Sequence, residues 1–143
     1  MAYVRIMIHA VWGTKNREPL LSKELRSKVI EHIIENARTK DIFIDRINGY
    51  TEHLHCLIGL HADMSIAKAM QLIKGESAFW LNRQNFMKSK FEWADEYFAV
   101  SVSPSNLNKV RAYIDRQEEH HKGRTFQQEY EEFLNTYRFN GLG

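Results

Sequence analysis

The order in which hydrophobic periodicity changes along the chain is the feature that most limits its fold. Residues 3–12 alternate between two faces, which predicts a strand with one core face. Ser22 then precedes apolar residues spaced three or four apart, which predicts a capped helix. The same criteria predict these later elements: strands over 41–50, 53–60 and 97–102 and a helix over 65–82. This order is typical of a ferredoxin-like fold of the α+β class, in which helices cover one face of an antiparallel sheet.

The remainder of the chain is predicted to add two helices to that core. The first begins at Ser103-Pro104-Ser105 and runs to about His121, and the second spans about 125–137. We expect one domain over the whole chain, 1–143, with no linker and with two parts: a core over 1–102 and an extension over 103–143. The sheet face without helices is then available for chemistry or for a partner.

Composition excludes several classes of protein. With 43% hydrophobic and 27% charged residues, the chain is neither disordered, collagen-like nor a coiled coil as a whole. No apolar run approaches the roughly 20 residues that span a bilayer, so we expect no membrane partner. Cys56 is the lone cysteine, which rules out an internal disulfide and favours the reducing cytoplasm as the compartment.

The distribution of charge is more informative than its formal sum of +2. Residues 1–40 are rich in Lys and Arg, and a second basic segment over 65–90 contains only one acidic residue, Glu76. Two such segments can hold a polyanion along one surface. The alternative is that they are ordinary solvated helix faces.

The sequence His53-Leu54-His55 is the first candidate for chemistry. Residues two apart in a strand share a face, so both imidazoles point away from the apolar face that contains Leu54 and Cys56. Two imidazoles side by side on a rigid strand provide half of a site for a divalent cation. Taken alone, a single H-x-H is a weak signal and is more often two ordinary surface histidines.

Tyr113 and Gln117 are the second candidate, one helical turn apart and on the same side of the predicted helix near its edge. Taken alone, the pair also fits an amphipathic surface. Together with the histidines it forms a coherent site, because His53, His55 and the Gln117 amide oxygen offer three ligands to Mg²⁺ or Mn²⁺. A cation there would polarise a phosphate for attack by the Tyr113 phenol, which gives a covalent phosphotyrosine.

These motifs resemble a known family. The segments EHLHCLIGL (52–60) and SVSPSNLNKVRAYIDRQEEHH (101–121) are similar to the small single-tyrosine HUH transposases of the simplest bacterial insertion sequences and their REP-associated relatives. VWGTKNREPLL (11–21) and IKGESAFWLN (73–82) resemble the same family. The family tyrosine falls on Tyr113, and its helical glutamine falls on Gln117.

The resemblance implies a homodimer that cleaves single-stranded DNA. The cleavage sites lie near hairpins at the ends of a mobile DNA element. Cleavage would leave a 5′-phosphotyrosine and a free 3′-OH. In relatives, the tyrosine helix of one subunit can complete the site of the other, so sites in cis and in trans both remain open. The alternative function is a non-catalytic hairpin-binding module, which needs the basic segments and not Tyr113. A phosphoesterase with paired H-x-T/S motifs is disfavoured because the chain has a single H-x-H.

Other residues are secondary candidates. Lys15 and Arg17, in the loop after the first strand, are expected to contact DNA phosphates, and Lys74 and Arg83 to hold a hairpin. His9 is expected to form hydrogen bonds, although it could also approach the metal or the DNA. The default role of His120 and His121 is to cap the negative end of the tyrosine helix, and the alternative for one of them is contact with the scissile phosphate.

Overall fold

The structure, a computed structural model, describes residues 3–136. The strands are β1 (Ile6–Gly13), β2 (Phe43–Gly49), β3 (His53–Leu60) and β4 (Phe98–Ser101). The helices are α1 (Lys23–Thr39), α2 (Ile66–Arg83), α3 (Leu107–Asp115), α4 (Gln117–His120) and α5 (Phe126–Thr136), with short 3-10 turns at Lys15–Arg17 and Pro104–Asn106. All pairings are antiparallel and the strand order is β2-β3-β1-β4. The predicted α+β, ferredoxin-like class is confirmed.

The main core lies between the sheet and the helices α1 and α2. Both helices begin as the sequence predicts, because Ser22 accepts a hydrogen bond from the Leu25 amide and Ser65 accepts one from the Lys68 amide. Most buried residues of this core come from β1, β3 and both helices, among them Ala10, Trp12, Leu54, Cys56, Ile58, Val29, Ile33, Ala69, Met70 and Ile73. Within residues 3–136, none of the helices combines the length and apolar character that crossing a bilayer requires.

The second sheet face, which the sequence leaves free, is covered by the chain's own C-terminal helices. Leu107 and Ile114 of α3 pack on Met7 and Leu57, and Phe126 of α5 packs with Val11 and Phe98. Because β1 and β3 also carry apolar side chains on this second face, the second face buries apolar surface as well. β1 and β3 therefore lie inside the molecule, and a side chain of β3 on this face is enclosed.

The single helix expected to run to about His121 is broken at Arg116, between α3 and α4. The Asn48 side chain in β2 donates hydrogen bonds to the carbonyl oxygens of Ile114 and Asp115, at 3.0 and 3.2 Å. These carbonyls are the last of α3, which a continuing helix would use itself. The break therefore follows from a tertiary contact. The predicted last helix agrees with α5 up to Thr136, and its expected end at Tyr137 lies outside the described residues.

Gly49 ends β2 at a point where no larger residue fits. A Cβ atom at this position would lie 2.1 Å from the His53 carbonyl oxygen, which accepts the hydrogen bond of the turn from the Tyr50 amide. We expect Gly49→Ala to lower the free energy of unfolding by about 3 kcal/mol, because backbone must move to relieve the contact. Urea unfolding measures this change.

Gly75 in α2 provides the matched control. A Cβ atom there meets nothing within 4 Å. Gly75→Ala should therefore raise the free energy of unfolding by about 0.5–1 kcal/mol, since alanine favours a helix. Equal effects of the two substitutions would contradict the close approach at Gly49.

Candidate active site

His53 and His55 lie on β3 at the centre of the molecule, and each is 0% exposed. Their ring centroids are 5.0 Å apart, on the sheet face that α3–α5 cover. The alternative of two surface histidines is therefore wrong. The pair shares a face, as strand geometry predicts, with Leu54 and Cys56 in the opposite core.

The Nδ1 atom of each imidazole forms a hydrogen bond that orients the ring. His53 Nδ1 donates to Glu52 Oε1 at 2.7 Å, and His55 Nδ1 is hydrogen-bonded to His9 Nε2 at 2.9 Å. His9 thus has the hydrogen-bonding position that was expected of it. These contacts orient both Nε2 atoms toward a common centre, as outer partners do for metal-binding histidines.

Gln117 meets the histidine pair from α4. Its Oε1 atom lies 3.1 Å from His53 Nε2, and its Nε2 atom donates to the Tyr113 carbonyl at 3.4 Å. Gln117 is 0% exposed, so the expected position at the edge of the helix is wrong. Gln117 is the first residue of α4, directly after the break at Arg116.

The Tyr113 hydroxyl points toward the histidines of its own chain. Its ring centroid lies 5.6 Å from that of His55, and the His120 ring packs against it at 4.6 Å. The hydroxyl donates to Glu129 Oε2 and accepts a hydrogen bond from Arg124 Nη2 at 3.0 Å. The structure therefore brings Tyr113, His53, His55 and Gln117 together.

Glu129 of α5 lies among these groups and was not found by sequence reasoning. It is 0% exposed, and its Oε1 atom lies 2.9 Å from His55 Nε2 and 3.3 Å from His53 Nε2. The available signal was an acidic residue between Phe126 and Phe133, inside the apolar stripe of an amphipathic helix.

His121 and Arg124 complete the surroundings. His121 Nδ1 donates to the Arg124 carbonyl at 2.8 Å, and its Nε2 atom lies 3.4 Å from Glu129 Oε1. The His121 ring is 4.6 Å from that of His53 and stacks on Tyr50. His121 is thus enclosed beside the histidine pair, which a helix cap alone does not require.

Charge in this buried cluster is balanced internally. Burial alone would raise the pKa of Glu129, but the imidazoles of His121, His53 and His55 hold it far below its ordinary value. Burial alone would lower the pKa of His53, but Glu129 and Glu52 outweigh burial and raise it. Burial lowers the pKa of His55 to about 4. Glu129 and His53 therefore each favour the charged form of the other, while His55 stays neutral at pH 7.

The phenol is protonated in the same environment. Burial and the neighbouring Glu129 carboxylate raise the pKa of Tyr113, and the Arg124 guanidinium opposes this change. Without further positive charge, Tyr113 is a weak nucleophile.

The donor set fits a divalent cation. One nitrogen of His53, one nitrogen of His55 and one oxygen of Glu129 all lie within 4.8 Å of one another, and all three residues are buried. His55 is unprotonated at neutral pH, so its lone pair is available to an ion. The Gln117 amide oxygen adds a further donor beside His53.

The basic candidates lie in two places. Arg17 is near the histidine cluster, because its guanidinium lies 5.5 Å from the Phe126 ring centre and that ring stacks on His53 at 4.1 Å. Lys15 is exposed and pairs with Glu92 at 2.9 Å. A cleft of about 530 Å³ adjoins this loop and is lined partly by Phe126.

Lys74 and Arg83 belong to α2, behind the other sheet face. The Lys74 ammonium donates to the carbonyls of Ala94 and Asp95, at 2.7 and 3.0 Å. Arg83 lies over the ring of Phe79 at 5.5 Å, and that ring is 61% exposed. The structure therefore does not bring these two residues to the histidine cluster.

Comparison with known proteins finds a matching family and matching relatives that are all transposases. Residues 2–117 match the family described as IS200-like transposases. The transposases of insertion sequence element IS200 from Salmonella typhimurium and Salmonella typhi are each 27% identical to the chain over 119 residues, which cover 80% of it and 78% of each relative.

Two solved structures share the fold. A crystal structure of a candidate transposase from Deinococcus radiodurans R1 has a TM-score of 0.67 and 21% identity, and the match covers 82% of this chain and 95% of that one. A REP-associated tyrosine transposase bound to a REP hairpin has a TM-score of 0.64 and 18% identity, with coverage of 85% and 72%.

Proposed function

The chain belongs to the family of IS200-like transposases, and on that premise we propose that it cleaves and rejoins single-stranded DNA at hairpin-flanked element ends. The observation that carries the proposal is the position of the Tyr113 hydroxyl. It comes from a distant part of the sequence and points to the same buried centre as His53 and His55.

The reaction exchanges one phosphodiester for another. The Tyr113 oxygen bonds to phosphorus and the bond from phosphorus to the 3′-oxygen breaks, which leaves a 5′-phosphotyrosine and a free 3′-OH. The proton lost by the phenol is matched by the proton that the 3′-oxygen gains. Because the phosphotyrosine keeps the energy of the original bond, a 3′-OH can reverse the step and rejoin DNA.

The side chains around Tyr113 prepare it for this step. Arg124 donates a hydrogen bond to the phenol oxygen and stabilises negative charge there. His53, His55 and Gln117 would hold a divalent cation, Mg²⁺ or Mn²⁺. When bound, the cation supplies positive charge that stabilises the phosphate undergoing attack.

The basic residues are proposed to bind DNA at two separate places, one beside the reacting phosphate and one on α2. Arg17 has the best position, because it lies over the ring that stacks on His53. Lys15 is exposed in the same loop, and Arg83 with the exposed Phe79 ring offers a separate place for a hairpin. Lys74 adds positive charge on α2, although its ammonium donates two hydrogen bonds to backbone carbonyls.

We propose a homodimer in the cytoplasm with each tyrosine serving its own subunit. Arg111 forms two hydrogen bonds to Asp45, both at 2.8 Å, and Asn48 binds the last carbonyls of α3. These contacts fasten the tyrosine helix to its own β2. An arrangement in which Tyr113 completes the site of a partner requires that all of them break.

The experiment uses single-stranded oligonucleotides that carry imperfect palindromes from the DNA flanking the reading frame. With Mn²⁺ or Mg²⁺, a denaturing gel should show 3′-labelled DNA linked to protein and 5′-labelled DNA released as a shorter fragment. EDTA should abolish both products, because the site then lacks its cation. Adducts in EDTA would contradict the metal-dependent reaction.

The alternative, a non-catalytic hairpin-binding module, gives a different result. It retards the hairpin DNA in a native gel and forms no covalent product with either metal. That outcome would replace the proposed reaction with binding alone.

A further inference from the structure

Glu129 is the acidic group at the centre of the candidate active site, and it lies beyond residue 117, where the match to the family ends. It reaches the site from α5, whose aromatic side chains enclose the histidines. Phe126 stacks on His53 at 4.1 Å, and the Phe133 ring centre is 5.9 Å from that of His55. Helix α5 therefore forms one side of the site.

Three of the distances between the donor atoms match the spacing of ligands around an ion. Octahedral bonds of about 2.1 Å place neighbouring ligand atoms about 3.0 Å apart. Glu129 Oε1 lies 2.9 Å from His55 Nε2 and 3.3 Å from His53 Nε2, and Gln117 Oε1 lies 3.1 Å from His53 Nε2. The carboxylate oxygen thus has the same relation to the imidazoles as the amide oxygen has.

The chemistry of the donors favours the same role. Two imidazoles and an amide form a neutral set, whereas Mg²⁺ and Mn²⁺ prefer sets that include carboxylate oxygens. Glu129 is the described carboxylate that faces both Nε2 atoms. It supplies the negative charge and the hard oxygen that the other donors lack.

The second oxygen of the same carboxylate faces the nucleophile. Oε2 accepts the hydrogen bond from the Tyr113 hydroxyl and lies 3.4 Å from Arg124 Nη2. One rigid group therefore joins the place of the cation to the phenol. Its position fixes the distance between the two.

We propose that Glu129 is a ligand of the divalent cation and that its other oxygen positions the Tyr113 phenol beside that cation. The inference rests on the proposed function, because it concerns the cation of His53 and His55. It adds a fourth protein ligand, from a helix outside the part of the chain matched to the family.

The test measures Mn²⁺ binding by the full chain without DNA, by titration followed with electron paramagnetic resonance. Glu129→Gln should bind Mn²⁺ about 10- to 100-fold more weakly than the unchanged protein, and Glu129→Asp should recover part of the loss. Glu131→Gln is the matched control, because Glu131 is exposed on the same helix and bonds only to Gln127 among the contacts described. Its affinity should not change.

Unchanged binding by Glu129→Gln would overturn the inference. Tighter binding would also overturn it, since the carboxylate would then compete with the cation for the imidazoles. Absence of Mn²⁺ binding by the unchanged protein would do the same.

A second measurement does not depend on the variant being folded. In the unchanged protein labelled with ¹³C at the glutamate carboxyl carbons, electron–nuclear double resonance of bound Mn²⁺ should detect a directly coordinated carboxylate. Lack of that coupling contradicts ligation by Glu129. Mn²⁺ binding that weakens in Glu129→Gln without any DNA adduct would overturn the proposed function and leave the ligand assignment intact.

Discussion

Tyr113→Phe will form no covalent adduct with DNA, and its rate of strand cleavage will fall by about a thousandfold or more. Removing the nucleophilic oxygen removes the atom that bonds to phosphorus, and loss of a nucleophile has effects of at least this size. The proposed cation ligands are untouched, so Mn²⁺ affinity should stay within about twofold. Denaturing gels with 3′-labelled DNA and the Mn²⁺ titration measure the two properties separately.

Tyr130→Phe is the control for this substitution. Tyr130 lies near the same cluster, with its ring centre 5.7 Å from that of Phe126 and under the Arg17 guanidinium. Its hydroxyl has no described contact with the histidine pair. Tyr130→Phe should retain adduct formation. If Tyr113→Phe gives the adduct and Tyr130→Phe does not, the nucleophile is assigned to the wrong tyrosine.

The core of the fold could be predicted because its signals are local. Strand β3 has the bounds expected from sequence, and Ser22 and Ser65 cap the predicted helices. Alternation and capping depend on neighbours in the chain, so they survive without tertiary information. The break at Arg116 depends on Asn48, which is distant in sequence. No local pattern predicts this break.

The same limit applies to the site: its local features could be predicted from sequence, and its tertiary contacts could not. His53 and His55 share a face because they are two residues apart in a strand, which the sequence alone establishes. Glu129 could not be placed in this way, since its role depends on how α5 docks on the sheet. A glutamate in a helix is usually solvated, and only the flanking aromatic residues hint at burial.

Charge counts predicted the positions of the basic residues less well than strand spacing predicted those of the histidines. Lys74 lies in a basic segment, yet its ammonium donates hydrogen bonds to two backbone carbonyls in the loop before β4. Arg17 belongs to the first basic segment and lies beside the active site. Its guanidinium packs over the ring of Phe126, which is far away in sequence. Composition therefore indicates a partner class without showing which cations face it.

Acid will destabilise the metal-free protein strongly. Between pH 7 and pH 4, in EDTA, we expect the free energy of unfolding to fall by on the order of 5 kcal/mol. Burial lowers the pKa of His9 from 6.5 to about 3, and burial lowers that of His55 from 6.5 to about 4. Urea unfolding at several pH values measures the change.

The sign follows from which state binds more protons. Below pH 6.5 the unfolded chain protonates both histidines, whereas the folded chain resists until pH approaches 4 for His55 and 3 for His9, so stability falls throughout this interval. Glu129 acts in the same direction below about pH 4.5, because its pKa is depressed in the folded state. His53 opposes them, since its raised pKa adds stability below pH 6.5 that is lost as pH rises through the folded value.

His9→Gln separates this mechanism from general acid denaturation. The amide can still bond to His55 Nδ1 but does not titrate, so the decline between pH 6.5 and pH 4 should shrink by about half. His61→Gln is the control, because His61 is exposed and follows β3, outside the buried cluster. Its profile should match that of the unchanged protein. A flat profile from pH 7 to pH 4, or an undiminished decline in His9→Gln, would show that these imidazoles are not held neutral by burial.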